Sequence, residues 1–392
     1  MENELLFDLA YFRPDTVNSA LELLFKARQE GEDSFIWTPH ESPLIRKMIE
    51  LFTTRGLMRL ESVQKALLRW QNKTDADTMP PPSPMTDAMA QSMVNNMARW
   101  TAEERELVRI YLDALPPSMW GLNDHMLSVE LVVQTYLPHD ELVTEAQWLA
   151  TKATMMGKVE RNWTKKQAPT LAEADKLLAG MPGSPEQAAF FPLSPKEKTT
   201  LEFANFRAVE NVVSLRENVR HKMRATVAKH VEKKLNGDTS GSSLQSELFD
   251  TFGELNRDWR RIAITEAGES QLQGMIAGTK PGDKVKRVEQ YASACPFCKK
   301  IHGVIATVVT ADHPNKDPDT MIWPGKNNIG RSASPRKRVG NVLVKRTADE
   351  LFWLPAGLAH PHCRGRWVPV VTVDEAADPA FAAIVAEFLA NT

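Results

Sequence analysis

Through most of the chain, apolar residues recur every three or four positions, the period of a helix with one buried face. Val17, Leu21, Leu24 and Phe25 form such a stripe over 16–30, closed by Gly31. Ser42-Pro43 offers a cap and a first-turn proline for a helix over 42–70, with a break or bend expected at Gly56. Residues 79–84 are proline-rich and read as a stiff linker. Met89, Met93 and Met97 recur every four residues over 86–100, one wall of a helical core. Thr101-Ala102-Glu103-Glu104 is a capping-box sequence, opening a helix that stops before Pro116-Pro117. Two further helices are expected over 123–136 and 139–163.

Residues 165–195 are punctuated by proline and glycine around one short helical window at 171–178, and the main boundary is expected there. Ser194-Pro195 opens a long helical region in which Phe203, Phe206, Val209, Val212, Val213 and Leu215 suit one broad apolar face. A turn at 236–241 precedes helices through 248 and over 258–276. Beyond the turn at 278–283 the period shortens to that of strands. Strands are expected over 284–291 (Val285, Val288 and Tyr291 apolar), 301–309, 321–323, 341–344 and 366–373, with a basic loop at 325–340. Residues 374–392 read as an acidic-apolar amphipathic helix carrying Phe381, Ile384, Val385 and Phe388. The expected class is α+β, mainly α-helical. It comprises a helical N-terminal region (1–165), a linker (166–195), a helical lead (196–280), a small metal-stapled α+β part (281–373) and a tail helix (374–392).

Composition narrows this little. The 392 residues are 42% hydrophobic and 25% charged with net charge −2, which excludes bulk disorder and a globally basic nucleic-acid binder. The ten tryptophans are scattered and indicate packed surfaces, not a base-stacking platform. The acidic start lacks a basic signal-peptide region, and there is no run of 18 apolar residues, so neither export nor a membrane span is expected.

The three cysteines change the picture. All lie in Cys295-Pro296-Phe297-Cys298 and His360-Pro361-His362-Cys363-Arg364, separated by 61 residues, 299–359. Cys295, Cys298, His360 and Cys363 make the Cys₃His set of a closed structural zinc site, since each two-residue gap lets a tight turn point two donors at one ion. His362 is an alternative to His360. A Cys295–Cys298 disulfide and three plain buried thiols are the other readings. His302 is expected at the surface or supporting the ligands, and Arg364 anchoring a carboxylate or carbonyl.

Catalysis is not expected. No G-x-S-x-G elbow occurs, Ala294 stands where the P-C-x-x-C of a zinc deaminase needs proline before Cys295, and four ligands would close the metal site. Thr265 and Glu266 lie on an arginine-rich helix, where an ion pair of Glu266 with Arg260 or Arg261 is expected. Between 326 and 346 there are seven Lys/Arg and no acid: Lys326, Arg331, Arg336, Lys337, Arg338, Lys345 and Arg346 are candidate nucleic-acid contacts. A second basic run, 216–234, reads more readily as a solvated helix face with Val219, Met223, Val227 and Val231 inward.

Arg261-Ile262-Ala263-Ile264-Thr265-Glu266, a glycine turn, a strand, C-x-x-C followed by Gly303, and the closing His360-Pro361-His362-Cys363-Arg364 occur in that order. In this, residues from about 200 to 372 resemble the phage Mu-type minor head proteins, the phage head morphogenesis family. The resemblance implies a low-copy virion protein acting in procapsid assembly near the portal vertex, inside the capsid or in the host cytoplasm during assembly. Its implied partners are the portal, capsid or scaffold proteins and packaged double-stranded DNA, with which it could be ejected. The sequence departs from the family pattern at Gly365, where a further cysteine is common, and in its longer loop between the knuckles. The competing expectations are a zinc-stabilised nucleic-acid-binding protein outside a capsid and, more remotely, an effector enzyme fused to a head-like domain.

Overall fold

A computed structural model describes residues 42–78, 85–95, 99–160, 171–237, 244–289, 294–361 and 363–370. The expected helix at 16–30, the linker at 79–84, Met97, Tyr291, His362 and the tail at 374–392 lie outside the described residues.

The described chain is mainly helical with a small C-terminal sheet, an α+β fold. The helices are α1 (Pro43–Gln71), α2 (Asp87–Asn95), α3 (Ala102–Ala114), α4 (Leu122–Tyr136), α5 (His139–Glu160), α6 (Leu171–Gly180), α7 (Pro185–Ala188), α8 (Pro195–Leu235), α9 (Leu244–Gly278) and α10 (Pro296–Ile301). Several begin where the sequence signals them. Thr101 Oγ1 accepts from Glu104 N at 3.1 Å while Thr101 N donates to Glu104 Oε2 at 2.6 Å, a complete capping box for α3. Ser194 and Glu197 do the same for α8.

α1 runs unbroken through Gly56. The glycine serves packing instead of bending: a Cβ there would fall inside the indole of Trp259 on α9. Trp259 is fully buried, stacks on Phe52 with ring centroids 5.6 Å apart, and donates Nε1–H to Phe52 O at 3.4 Å. α5 and α9 also meet closely. A Cβ at Gly157 or Gly274 would collide with the opposite backbone.

The broad apolar face expected on α8 is narrower than the sequence suggested. Leu201, Ala204, Ala208, Val212, Leu215, Val219, Met223, Val227 and Val231 face the core at strict helical spacing. Phe203 and Phe206 lie on the opposite side and are each 67% exposed. Helical phase decides this: the two rings sit about half a turn from that stripe. The methionine wall is likewise only partial, for Met89 is exposed and Met93 half-buried, while Met85 and Ala90 enter the core.

The boundary expected at 166–195 does not separate two cores. One apolar cluster runs from Leu44 on α1 through α4, α5 and α8 to Ala267 on α9. A second begins at Leu272, still within α9, and continues to Trp367. The division therefore lies inside a single continuous helix, which carries the C-terminal part on its last turns.

That part is a four-stranded sheet in the order β3-β2-β1-β6, with β1 (Lys284–Val288), β2 (Ile305–Val308), β3 (Met321–Ile322) and β6 (Arg366–Pro369). β1 is central and antiparallel to β2 and β6, and β2 is parallel to β3. Residues 336–339, expected in a loop, form β4 (Arg336–Val339), paired with β5 (Val342–Lys345) around Gly340 at φ 58°. The sequence hid this hairpin because β4 is nearly all cationic and lacks apolar alternation.

Candidate metal centre

The two knuckles come together around Cys298. Cys295 caps α10, its Sγ accepting from Cys298 N at 3.4 Å, so the first turn of that short helix presents both thiols on one side. His360 Nε2 lies 3.2 Å from Cys295 Sγ and 3.2 Å from Cys298 Sγ. Cys298 Sγ is 3.8 Å from Cys363 Sγ. A tetrahedral ion with metal–sulfur bonds near 2.3 Å has sulfur–sulfur edges of about 3.8 Å, so this pair already has the spacing of two ligands on one ion. Cys295, Cys298, His360 and Cys363 thus form a cluster that could hold a metal ion. All three cysteines are unbridged. His360 Nδ1 lies 2.7 Å from Pro361 O, which fits Nδ1 as donor and leaves Nε2 to face the thiols.

Behind the ligands lies an ion pair that sequence reasoning missed. Arg287 on β1 is fully buried. Its Nε donates to Glu289 Oε1 at 2.7 Å and its Nη1 to Gly357 O at 2.9 Å, while Nη2 lies 3.6 Å from Cys363 Sγ. Its guanidinium also sits 5.3 Å from the Trp367 ring centre. Burial works against the charge, but Glu289 and the neighbouring thiols outweigh it and hold Arg287 above its usual range. The Cys363 thiol is driven well below its usual value: the Cys298 hydrogen bond leads, burial opposes, and the Arg287 charge adds to the lowering. Glu289, Cys298 and Cys363 form a second, overlapping group of potential ligands. The signal was present in the alternation. Val285, Arg287 and Glu289 share the buried face of the strand, whereas Val288 does not.

His302 supports this arrangement from outside. Its Nδ1 accepts from Glu289 N at 3.0 Å, fixing the residue that bonds Arg287. Arg364 is buried next to the second knuckle. Gly365, where the resembling family often has cysteine, has a local reason, since a Cβ would overlap the Glu289 carboxylate.

The motif residues on α9 pair differently from expectation. Glu266 is buried and bonds Arg207 Nε at 2.9 Å and Asn211 Nδ2 at 2.9 Å, both on α8, instead of Arg260 or Arg261. Burial raises its pKa and Arg207 opposes the rise. Arg261 is exposed and Thr265 half-buried. One turn further along α9, Glu269 Oε2 accepts from Leu358 N at 2.5 Å, tying α9 to the approach to the second knuckle.

The seven basic residues between the knuckles have separate fates. Lys326 is 1% exposed, which removes it from the candidate nucleic-acid contacts. Its Nζ donates to Pro318 O at 2.6 Å and Met321 O at 2.8 Å, between the rings of Trp323 and Trp353 at 4.6 and 5.0 Å. Burial pushes its pKa down to about 8. Arg331 stacks on Trp353 at 3.7 Å and donates to Leu351 O at 2.9 Å. Lys337 pairs with Glu350. Arg336, Arg338 and Lys345 remain exposed on the hairpin, and Arg346 is half-buried.

A scan against protein-family models, a search of curated proteins and a search of solved structures each returned no match.

Proposed function

We propose that the chain is a minor head protein of a tailed bacteriophage. It acts non-enzymatically in procapsid assembly near the portal, with zinc as a structural ion on Cys295, Cys298, His360 and Cys363. The observation that carries the reading is the joining of the resemblance's separate motifs into one unit. The α9 segment containing Glu266 leads directly into Gly268 and Glu269, and Glu269 holds the backbone of Leu358 just before the second knuckle. Motifs that are short and weak singly are thereby linked across the two apolar clusters, Ala263 packing in the first and Cys298 and Cys363 in the second. Zinc suits three thiols and an imidazole with no open position. Metal analysis of the purified protein is expected to give one zinc per chain, lost in Cys295→Ser and Cys363→Ser. Equal metal in both variants would reject the site. Mass spectrometry of purified virions, with portal, terminase and capsid genes adjacent, tests the assembly role, and absence from virions would reject it.

A second reading, contact with nucleic acid, is favoured by the hairpin. Arg336 lies directly opposite Lys345, and Arg338 follows on the same face. Like charges across an antiparallel pair destabilise it unless an anion lies between them. This reading is compatible with the first, because a capsid-interior protein lies beside packaged DNA. Binding to duplex DNA should weaken with salt at a log–log slope of about −2.7 for three phosphate contacts. Arg336→Glu with Arg338→Glu should abolish it, and unchanged binding would reject this face.

A further inference from the structure

The β4–β5 ribbon has two unlike faces. Its register sets Arg336 against Lys345, Lys337 against Val344, Arg338 against Leu343 and Val339 against Val342. Side chains alternate along each strand, so Arg336, Arg338, Leu343 and Lys345 share one face and Lys337, Val339, Val342 and Val344 the other. The second face is tied to the body at its base, where Lys337 and Val344 are half-buried and Lys337 pairs with Glu350. At its far end Val339 and Val342 lie opposite each other beside Gly340 and close the turn. The first face is therefore the outward one. All its side chains are exposed, Leu343 to 60%.

The charges on this face are unspent. The side chains of Arg336, Arg338 and Lys345 make no hydrogen bond or ion pair among the described residues. The acids at the base of the ribbon are engaged elsewhere. Glu350 is taken up by Lys337, and Asp349 by the Thr347 side chain, with the Arg331 charge acting on it. No acid occurs between 326 and 346. The face is thus complementary to an anion, and its apolar member says which kind.

The two ends of the face differ. Nearer the body, two cations oppose each other, Arg336 and Lys345, and a phosphate between them answers both. Nearer the turn, the guanidinium of Arg338 stands directly against Leu343. A phosphate gains nothing from Leu343. A base-pair edge in the major groove of DNA suits both, because guanine O6 and N7 accept the arginine fork and thymine presents a methyl. The two pairs are about 7 Å apart along the strand, close to the depth of that groove, about 8.5 Å. A ribbon entering turn first would set one pair at the bases and the other at the phosphates. A two-stranded ribbon fits the major groove, about 12 Å wide, and is too broad for the minor groove, about 6 Å. Duplex RNA is excluded as the match, since its major groove is too narrow for side chains to read.

We propose that the ribbon enters the major groove of duplex DNA and reads base edges there, Arg338 on a guanine and Leu343 on the methyl of a neighbouring thymine, while Arg336 and Lys345 hold a phosphate at the groove wall. This rests on the nucleic-acid reading above and deepens it: one of the three cations specifies sequence instead of only supplying charge. It does not depend on the phage reading.

The test uses the full chain and a DNA duplex library with a randomised centre, selected for binding and sequenced. Selection is expected to yield a motif with guanine next to thymine. In fluorescence anisotropy, Arg338→Gln should weaken binding to the selected duplex about tenfold, leave binding to random sequence nearly unchanged and keep the salt slope. Arg336→Gln should instead weaken both duplexes alike and reduce the salt slope by about 0.9. Replacing the motif thymine by uracil removes only the methyl; it should weaken binding of the unaltered protein and not of Leu343→Ser. Four results would overturn the proposal and leave a charge-only contact standing: no selected motif, Arg338→Gln behaving like Arg336→Gln, Leu343→Ser as sensitive to uracil as the unaltered protein, or displacement by a minor-groove ligand. Absence of any duplex binding by the unaltered protein would reject the nucleic-acid reading itself, and this proposal with it.

Discussion

The helical body and the C-terminal sheet solve the same problem with different physics. The body buries a continuous apolar cluster from Leu44 to Ala267, centred on the Phe52–Trp259 stack and the glycine crossings. The sheet region has a much smaller apolar cluster. It adds polar fasteners: four potential metal ligands, the buried Arg287–Glu289 pair, and a ladder in which Lys316, Trp323, Lys326, Trp353 and Arg331 alternate cation and ring. Small cores bury too little area to offset chain entropy and need such staples. The long excursion between the knuckles is held at two places, by the ligand cluster at its base and by the ladder in its middle.

The largest expected effect comes from the metal cluster. Structural zinc sites contribute on the order of 10 kcal/mol of folding free energy. Chelation, or Cys363→Ser, is expected to open residues 284–370 to protease while the helical circular dichroism of the body survives. A simultaneous loss of both would erase the distinction. Next is Trp259→Ala, which should cost about 3–5 kcal/mol in the body and lower its melting temperature. Metal content should not change, because Trp259 lies in the other cluster. Third, Arg287→Met leaves Glu289 buried without its cation and should cost about 3–5 kcal/mol in the sheet region alone, as followed by hydrogen exchange of β1. Adding Glu289→Leu should recover much of that loss.

The smallest effect is electrostatic. Lys326 titrates at about 8 in the folded protein, below its ordinary value of 10.5. Between these values the unfolded chain binds more protons, so the contribution of Lys326 to stability rises with pH across about 8 to 10.5 and is least favourable below 8. Lys326→Met should flatten that rise in denaturant melts of the sheet region. An identical pH profile in both proteins would show that the ladder holds Lys326 charged throughout.

Local chemistry was legible where it was local. Capping boxes, first-turn prolines and helical periods named α1, α3, α4, α5 and α8 to within a few residues, because neighbours in sequence supply those signals. The ligand set was legible because cysteine is scarce here and spaced to converge. The unbroken passage of α1 through Gly56 was not, since the reason is a tryptophan 203 residues away in sequence. Nor was the Glu266–Arg207 pairing, which depends on how α8 lies against α9.

The sequence by itself determined the mainly helical α+β class, the helix starts and the four residues able to ligate a metal, all of which follow from short-range period and donor chemistry. Only the tertiary structure decided that N-terminal helices and α8–α9 share one core, that Arg287 and Glu289 lie behind the ligands, and that Lys326 is enclosed between tryptophans while Arg336, Arg338 and Lys345 stay in solvent. The physical reason is that burial is a property of the assembled surfaces. A lysine and an arginine 10 residues apart in sequence, Lys326 and Arg336, carry the same charge, and only packing determines which of them still meets water.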